Sequence, residues 1–591
     1  MTGSPRPGRA GRRLWLLVSL PLALITAVGV PSASALADTA TNTVANTTAS
    51  TTVDAKARTG ARAVVAAMQP SWNLGNTLDA FPTETSWGSP LTTKATFDAV
   101  KAAGYRSVRI PVTWSNAQDT TAPYTIDPKY MARVKQVVDW AIEDGLYVDL
   151  NVHHDSWQWI KNITTADHDA VLARFDSTWQ QIAAAFKDEP RKLLFESVNE
   201  PQFSDNATDA QKTQAMDELN TSFHTIVRKS GGGNATRVLL LPDQNTSPIE
   251  QQKMNELYTT ITRLKDPNLG ATMHYYSLWM FSVNNSGYTT YNEAVQKDLL
   301  TAFTQMHDTF VAKGIPVYLG EYGTLSYPDF TKPDQIERGE AFKYFEQLGY
   351  ESRINGITTA LWDAGSFLNR NTLQWRDPEL AALIRASWHT RSGTASTDQV
   401  FLPKSAPVAA HTVTLNLNGL SFRGLWQGDT RLRPGVDYTV SGDQLTLTPT
   451  LLTRLGGDRA LGENATFQAR FSRGVPWTFH VITNDLPVQS DATGTTDSLT
   501  IPTQFKGDVL ATMESRYADG SNAGPYTWTP YQEFNRHFTP DYPNGAIKLT
   551  SEYLQTLTDG ATVTLKFDFW SGASVTYHVT RSGDTVTGTV A

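Results

Sequence analysis

Two glutamates stand near the ends of short apolar stretches. Glu200 follows the apolar part of LLFESVNEP (193–201), and Glu321 does the same in PVYLGEYG (316–323). Each apolar run predicts a buried strand, and Pro201 predicts that the first strand stops there, because proline cannot donate to a sheet ladder. Two carboxylates that face one cleft are the groups that hydrolysis of a glycosidic bond requires. The pair therefore predicts a glycoside-hydrolysing site.

Other predicted strands also end in polar or aromatic residues. Taken singly, each has an ordinary structural explanation, as an ion-pair partner, a core histidine or a packing aromatic. Their shared position at strand ends instead predicts one convergent mouth. In chain order these residues are Asn76, Arg109, His153, Asn199, His274, Tyr276 and Trp362.

The segment between residues 61 and 395 alternates strand and helix patterns. Asp127 and Pro128 predict the start of one helix, and Gly145 predicts its end. Eight such units favour an α/β fold, a closed (β/α)8 TIM barrel, over an open doubly wound sheet, which usually has fewer strands. No glycine-rich phosphate loop follows the first strand, so no nucleotide site is expected. Besides those that carry the glutamates, predicted strands lie at 72–76, 106–112, 146–152, 237–241, 271–274 and 356–361.

His153, His154 and Asp155 invite a metal hypothesis, since histidine and carboxylate groups suit zinc or iron. Adjacent residues on a strand point to opposite faces, which predicts that the two histidines do not share an ion. We therefore expect no catalytic metal and no cofactor.

Composition narrows the class of protein. The chain has 591 residues, a net charge of -8 and no cysteine. The length suits a barrel with smaller modules, and the absence of a basic excess argues against a nucleic-acid partner. Without cysteine there are neither disulfides nor thiolate metal sites.

The N-terminus is typical of an export signal. Arginines precede the apolar run 14–30, and Ala35-Leu36-Ala37 is a small-residue cleavage site. We expect a signal peptide at 1–37 and a secreted protein, with a single membrane anchor as the alternative. The Thr-, Ala- and Asn-rich segment 38–60 predicts a disordered linker.

After about residue 395 the pattern changes to short alternating strands with frequent turns. LTPTLLTRL (447–455) resembles LTSEYLQTL (549–557), and TFHV (478–481) resembles TYHV (576–579). This internal repeat predicts two related, small all-β, immunoglobulin-like sandwich modules, at 400–488 and 489–591.

The motifs of the barrel segment, taken in order, resemble glycoside hydrolase family 5 and most closely its fourth subfamily of endoglucanases and xyloglucanases. The resemblance implies a retaining endo-acting hydrolase of β-1,4-glucans with no cofactor. These motifs are WNLGNTLD, RSVRIPVTW, VDLNVHHD, FESVNEP, MHYYSLW, YLGEYG and ALWDAG.

The resemblance also implies a role for each strand-end residue. Glu321 is the nucleophile and Glu200 the acid and base. Arg109 and Tyr276 hold Glu321 ionised, whereas His274 helps to keep Glu200 protonated. The sugar contacts are assigned to Asn76, His153, His154, Asn199 and Trp362, and more distant rings, or simple packing, to Trp157, Trp159, Trp279 and Trp375.

The two terminal modules have their own resemblances. The first is similar to the immunoglobulin-like module that follows the barrel in several bacterial cellulases, and we interpret it as a spacer. The second resembles carbohydrate-binding module family 46. Its Trp528, Tyr531 and Trp570 are candidate sugar platforms, with core packing as the alternative for each.

The sequence thus predicts a secreted, monomeric, retaining endo-β-1,4-glucanase whose only partner is a β-glucan polysaccharide. A xyloglucan-specific or mixed-linkage glucanase is the near alternative, and a mannanase a more distant one. A non-catalytic glucan-binding protein is the alternative from another class, and a reducing-sugar assay separates the two.

Overall fold

A computed structural model describes residues 60–325 and 332–591. The predicted signal peptide (1–37) and all but the last residue of the predicted linker (38–60) lie outside the described residues. Among the described residues, no helix combines the length and apolarity that crossing a bilayer requires.

Eight parallel strands close into a barrel, because β8 pairs with β1 through Ser71 opposite Ala360. The strands are almost wholly buried, as expected for parallel strands covered on both faces. This confirms the predicted (β/α)8 TIM barrel. The strands are β1 (Ser71–Asn73), β2 (Ser107–Ile110), β3 (Tyr147–Asn151), β4 (Leu193–Glu196), β5 (Leu239–Pro242), β6 (Leu269–Tyr275), β7 (Val317–Tyr322) and β8 (Thr358–Leu361).

Helices surround the barrel. The longer ones include α3, which begins as predicted: the Asp127 carboxylate accepts from the Lys129 N–H at 2.7 Å and Pro128 is the first helical residue. Gly145, with φ of +77°, turns the chain after that helix into β3. The helices are α1 (Ala61–Met68), α2 (Lys94–Ala102), α3 (Pro128–Glu143), α4 (Asp155–Gln158), α5 (His168–Ala185), α6 (Asp209–Lys229), α7 (Gln251–Leu264), α8 (Trp279–Ser282), α9 (Glu293–Thr309), α10 (Arg338–Asn355) and α11 (Pro378–Ser387).

The interior of the barrel is layered. Near its N-terminal end, α1 packs against apolar side chains that include Leu194, Leu240 and Tyr318. Two residues further along β4, on the same face as Leu194, stands Glu196, so a charged layer lies above the apolar one. The mouth follows above that layer, where the strands end.

The second module of the chain is the one that follows the barrel, predicted at 400–488. It consists of two sheets, with strand orders β10-β17-β16-β12-β13 and β14-β15-β11-β9. Its core is continuous with that of the barrel. Glu346 on α10 ties the two together, because it accepts both Nε and Nη2 of Arg391 at 2.7 and 2.6 Å. The elements are β9 (Thr394–Ala395), β10 (Gln399–Pro403), β11 (His411–Asn416), β12 (Phe422–Gln427), β13 (Thr430–Arg431), β14 (Tyr438–Ser441), β15 (Gln444–Leu447), α12 (Pro449–Gly456), β16 (Gly462–Phe471) and β17 (Trp477–Asn484).

The third and last module of the chain, predicted at 489–591, is one sheet of nine strands with a core of its own. The strand order is β21-β24-β25-β26-β19-β20-β23-β22, and β18 also pairs with β20. The segment before β22 bonds back to β21, through Gln532 N–H to Met513 O at 2.9 Å, so the sheet folds around its core. The elements are β18 (Val488–Gln489), β19 (Ala492–Thr495), β20 (Ser498–Gln504), β21 (Leu510–Tyr517), β22 (Phe538–Asp541), β23 (Ala546–Thr550), α13 (Ser551–Leu554), β24 (Thr562–Phe569), β25 (Ser574–Ser582) and β26 (Thr585–Val590).

The internal repeat occupies equivalent places in the two modules. β15 runs through Thr448 into α12, and β23 runs through Thr550 into α13, with the apolar side chains of both helices buried. The second pair of matching segments lies on β17 and β25. The all-β class of both modules is confirmed.

Candidate active site

Both predicted glutamates lie at the carboxyl ends of their strands, facing one imidazole. His274 Nδ1 is 2.9 Å from Glu200 Oε1 and 3.6 Å from Glu321 Oε2. One oxygen of each carboxylate and a ring nitrogen of His274 all lie within 4.8 Å of one another. This is the close spacing of a retaining pair, because an inverting pair keeps its carboxyl groups about 6.5–9.5 Å apart.

The local backbone delivers each glutamate to the mouth. Glu200 has φ of +37°, an uncommon conformation for a non-glycine residue, which turns its side chain after β4 has ended. For Glu321, the ladder between β6 and β7 contains a register shift. Met273 pairs with Leu319, but the next residue, His274, pairs with Glu321. The extra residue is Gly320, and the bulge brings His274 beside the carboxylate.

Glu321 is buried and receives two strong donors. Arg109 Nη1 donates to Oε1 at 2.7 Å, and the Tyr276 hydroxyl donates to Oε2 at 2.5 Å. Burial raises the pKa of Glu321 above its ordinary value, and the charges of His274 and Arg109 oppose that rise. The contacts expected from the sequence are present, but in the free protein desolvation outweighs them.

Asn199 and His153 present hydrogen-bond groups beside the nucleophile. Asn199 Oδ1 accepts from Arg109 Nη2 at 2.8 Å, and its Nδ2 has no hydrogen-bond partner among the described residues. His153 Nδ1 is 3.1 Å from Asn151 Nδ2, and its Nε2 is 4.0 Å from Glu321 Oε1. The Trp362 indole lies parallel to the His153 ring, with centroids 5.7 Å apart.

His154 and Asn76 lie on the neighbouring side of the mouth. The His154 ring is 4.4 Å from that of Trp157, and its Nε2 is 3.5 Å from Asp79 Oδ2. Asn76 follows Gly75, where an added Cβ would come within 2.9 Å of the Trp362 indole. The structure thus brings together all ten residues that the sequence places in the barrel site.

The argument that separated the two histidines was wrong. β3 ends at Asn151, so neither His153 nor His154 is on a strand, and their rings lie 4.4 Å apart. Together with Asp79 they form one of two groups within the described part of the chain that could hold an ion, and the other is Glu200, His274 and Glu321. The prediction that the site uses no metal stays a prediction.

The three candidate platforms of the last module lie in different settings. Trp528 is 43% exposed. Tyr531 packs against the barrel loop at Gly287, where an added Cβ would be 2.8 Å from its ring. Trp570 lines a cleft of about 770 Å³ between the three modules, away from the site residues described above.

Of the more distant tryptophans, two serve packing. Trp159 is buried beneath Arg174, whose guanidinium is 4.3 Å from its ring. Trp375 stacks on Tyr105 with centroids 6.0 Å apart. Trp157 and Trp279 are half-buried.

Sequence reasoning missed the residues beneath the mouth. Glu196 and Asn151 are fully buried. Glu196 hydrogen-bonds to Arg109, and Asn151 hydrogen-bonds to His153. Gly320 was missed as well. It leaves room for the Thr272 side chain, since a Cβ at residue 320 would be 3.0 Å from Thr272 Oγ1. The only available signal was a carboxylate, Glu196, inside an otherwise apolar run.

A closed barrel with two close glutamates at its mouth is the architecture of a glycoside hydrolase. The family described as cellulase (glycosyl hydrolase family 5) matches residues 72–367. Carbohydrate binding domain X2 matches 394–481, and the carbohydrate binding domain CBM46 matches 485–589. The chain belongs to glycosyl hydrolase family 5.

Relatives and solved structures agree over all three modules. Endoglucanase B of Paenibacillus lautus is 47% identical over 89% of this chain and 93% of its own length. The tri-modular endo-β-1,4-glucanase B of Bacillus halodurans has 43% identity and a TM-score of 0.87, over 90% of this chain and 99% of that one. A tri-modular subfamily 4 enzyme of Bacillus licheniformis, complexed with cellotetraose, has 30% identity and a TM-score of 0.75, over 88% and 99%. The chain is an endo-β-1,4-glucanase that acts on glucan polysaccharide.

Proposed function

We propose that this endoglucanase is a secreted, monomeric enzyme that cleaves β-1,4-glucan chains with retention of configuration. Glu321 is the nucleophile, and Glu200 is the acid and base. The observation that carries this proposal is the placement of both carboxylates around His274 Nδ1, at 2.9 and 3.6 Å. One oxygen of each carboxylate lies within 4.8 Å of the other, closer than the separation of about 6.5–9.5 Å at which an inverting pair holds its water molecule.

The reaction then has two steps. In the first, a Glu321 oxygen bonds to the anomeric carbon, the glycosidic bond breaks, and Glu200 gives its proton to the leaving oxygen. In the second, Glu200 takes a proton from water, whose oxygen bonds to the anomeric carbon as the bond to Glu321 breaks. Arg109 and Tyr276 stabilise the carboxylate of Glu321 when it leaves, through the contacts at 2.7 and 2.5 Å.

The remaining mouth residues bind the sugar that reacts. Asn199 Nδ2 has no partner within the described chain, which leaves it available to donate to the 2-hydroxyl, a contact that strengthens in the transition state. His153 contacts the adjacent hydroxyl, and Trp362 lies beneath the ring. Asn76 and His154 line the same side of the mouth.

The last module extends the substrate cleft in this proposal. The barrel loops that follow β6 and β7 hydrogen-bond to it: Asn284 O accepts from Phe534 N–H at 3.2 Å, and Gln335 Nε2 donates to Phe534 O at 3.1 Å. Both loops leave the catalytic face, so the module stands beside the mouth. Trp528 exposes an aromatic face that suits a glucan ring.

Xyloglucan or mixed-linkage glucan is the second candidate substrate. The position of the last module favours xyloglucan of these two, because an added wall can contact the side chains of a branched polymer. The non-catalytic alternative is disfavoured by the complete set of mouth residues. Export is proposed from the pattern at 1–37.

The direct test is the initial hydrolysis rate on carboxymethyl cellulose, barley β-glucan, xyloglucan and mannan. We expect release of reducing sugar from the glucans and little from mannan, with the ranking identifying the preferred substrate. No hydrolysis of any glucan would refute the proposal. N-terminal sequencing of protein recovered from the culture medium tests export, with a start at Asp38 expected.

A further inference from the structure

Glu196 is a buried carboxylate to which the reaction scheme above assigns no role. It is fully buried at the end of β4, beneath Asn199 and Glu200. Four donors reach it: Arg109 Nε at 2.9 Å and Nη2 at 2.6 Å, Asn151 Nδ2 at 3.0 Å and Thr272 Oγ1 at 3.3 Å. A carboxylate accepts about four hydrogen bonds, so Glu196 is fully used within the protein.

The first pair of donors fixes the arginine that contacts the nucleophile. Glu196 binds the Nε–Nη2 edge of Arg109 in a bidentate manner, a geometry that sets orientation as well as distance. The other three N–H groups of Arg109 reach Glu321 at 2.7 Å, Asn199 at 2.8 Å and Asn73 at 3.1 Å. All five donors are used, so the guanidinium has one orientation.

The third donor fixes the tautomer of His153. The Glu196 carboxylate only accepts, so Asn151 must turn its NH₂ toward it, and its Oδ1 accepts from Val112 N–H at 3.3 Å. The same NH₂ group lies 3.1 Å from His153 Nδ1, which must therefore accept and carry no proton. The imidazole proton is then on Nε2, the nitrogen that faces Glu321 and the sugar.

We propose that Glu196 is a positioning residue for glycoside cleavage, which orients Arg109 against the nucleophile and, through Asn151, keeps His153 as an Nε2–H donor to the substrate. The proposal rests on the roles proposed above for Glu321 and His153. It assigns to Glu196 no contact with substrate.

Several charged or titratable groups face this cluster. They are Arg109 from β2, Asp149 from β3, His274 from β6 and Glu321 from β7, with His154 beside His153. Asp149 accepts no hydrogen bond among the described residues, and burial followed by the charge of Glu196 raises its pKa well above the usual range. Burial also lowers the pKa of His153 well below its ordinary value and keeps that ring neutral.

The test variant is Glu196→Gln, assayed with 2,4-dinitrophenyl β-cellobioside, whose leaving group needs no protonation, and with β-glucan. In the glutamine, an NH₂ group replaces one carboxylate oxygen. Because this group cannot accept from the N–H groups of Arg109, the guanidinium is displaced. We expect kcat/KM to fall about 10²-fold on both substrates, as for a misplaced catalytic group. The acid limb of the pH profile should move to higher pH, because a displaced Arg109 no longer opposes the rise that burial causes in the pKa of Glu321.

Asp149→Asn is the matched control. It changes an equally buried carboxyl that lies beside the same arginine, 3.7 Å from Nε, but accepts no hydrogen bond among the described residues. Activity within about 3-fold of wild type and an unmoved acid limb are expected. A comparable loss in both variants would mean that any change in this layer is disruptive, and would overturn the specific role of Glu196.

Asn151→Ala tests the second arm and serves if Glu196→Gln does not fold. It removes the donor to His153, and kcat should fall about 10-fold with a smaller change in KM. Wild-type kinetics in Asn151→Ala, or a Glu196→Gln variant that loses only thermal stability, would overturn the proposal. Labelling of Glu321 in the wild-type chain by a 2-deoxy-2-fluoro-cellobioside tests the nucleophile by itself. Failure of the role proposed for Glu321 can therefore be distinguished from failure of the role proposed for Glu196.

Discussion

His274 occupies the point where the two reacting carboxylates meet. Its Nδ1 hydrogen-bonds Glu200 at 2.9 Å and stands 3.6 Å from Glu321. Glu200 is part-exposed, whereas Glu321 is buried under Arg109 and Tyr276. The more exposed carboxyl can exchange a proton with a leaving group and then with water, and the buried one is suited to attack.

The first prediction concerns these two residues. Glu321→Gln should lose at least about 10⁴-fold in kcat on β-glucan because the nucleophile is gone. Glu200→Gln should lose about 10²–10⁴-fold on β-glucan yet react rapidly with 2,4-dinitrophenyl β-cellobioside in the first step, which needs no acid. Rates of dinitrophenolate release measure the difference.

The control for this pair is Glu218→Gln, on the outer helix α6, which should keep wild-type activity. All three variants should show the thermal unfolding of wild type to within a few degrees. Near wild-type turnover in Glu321→Gln would contradict the assignment of the nucleophile.

At the level of elements, the site depends on where strands end and on one bulge. Gly320 lies on β7 and is close to side chains of β6, its neighbour in the barrel, and of β2. An added Cβ would meet Thr272 Oγ1 at 3.0 Å, His274 Nε2 at 3.3 Å and Arg109 Nε at 3.4 Å. None of the three can withdraw, because the interior of the barrel is filled.

Gly320→Ala should therefore displace Arg109 and His274 and lower kcat/KM on β-glucan about 10²-fold, with a smaller effect on stability. Gly323→Ala is the matched change three residues further along, where a Cβ would be 3.6 Å from the Tyr276 ring, an ordinary contact. It should retain activity. Equal activity in the two variants, measured as initial rate, would show that the bulge does not position the site.

The sequence predicted those parts of the site that depend on local signals. Asp127, Pro128 and Gly145 marked the limits of α3, whereas β4 already ends at Glu196, before the Pro201 that was predicted to stop it. The predicted strands were too long. For β2 the sequence predicted 106–112, whereas the strand is Ser107–Ile110, because residues beyond the ladder still alternate toward the mouth. The confirmed part is the barrel, and the roles of its strand-end residues stay predictions.

What the sequence could not reveal depends on contacts between distant strands. Glu196 is one carboxylate in an apolar run, and only the closed barrel brings Arg109, Asn151 and Thr272 to it. The proximity of His153 and His154 depends on the chain leaving β3 at Asn151, an end that no residue type marks. Platforms could not be separated from packing either, since the exposure of Trp528 depends on the folded module.

On the scale of the whole molecule, the last module is held beside the mouth by hydrogen bonds from asparagine side chains to backbone carbonyls. Asn535 Nδ2 donates to Pro333 O at 2.6 Å, and Asn284 Nδ2 donates to Ala511 O at 3.1 Å. Such bonds fix the module against the two loops of the catalytic face. The module is thus part of the cleft wall in the proposed enzyme.

Trp528→Ala should then lower kcat/KM on xyloglucan and β-glucan about 10-fold, as loss of one stacked ring would, and leave cellotetraose hydrolysis nearly unchanged. Trp426→Ala, a half-buried tryptophan of the second module between Arg431 and Arg470, is the control. Equal losses on polymer and tetrasaccharide would count against a role in the cleft.

Stability of the last module should depend on pH through His537. Burial, followed by the charge of Arg536, lowers the pKa of His537 to about 3, against about 6.5 in an unfolded chain. Below about pH 6.5 the unfolded state binds a proton that the folded state excludes, so stability falls as pH falls, by about 2 kcal/mol at pH 5. Calorimetry at pH 7 and 5 should show this loss in wild type and a smaller one in His537→Gln. Equal losses would refute it.

The central claim, retention through a covalent intermediate at Glu321, is tested most directly by proton NMR of the first product formed from a soluble cello-oligosaccharide. With the carboxylates held around one imidazole, the new reducing end should appear first as the β-anomer and convert to the α-anomer only by mutarotation. Initial appearance of the α-anomer would show inversion and contradict the assignment of Glu321 as nucleophile.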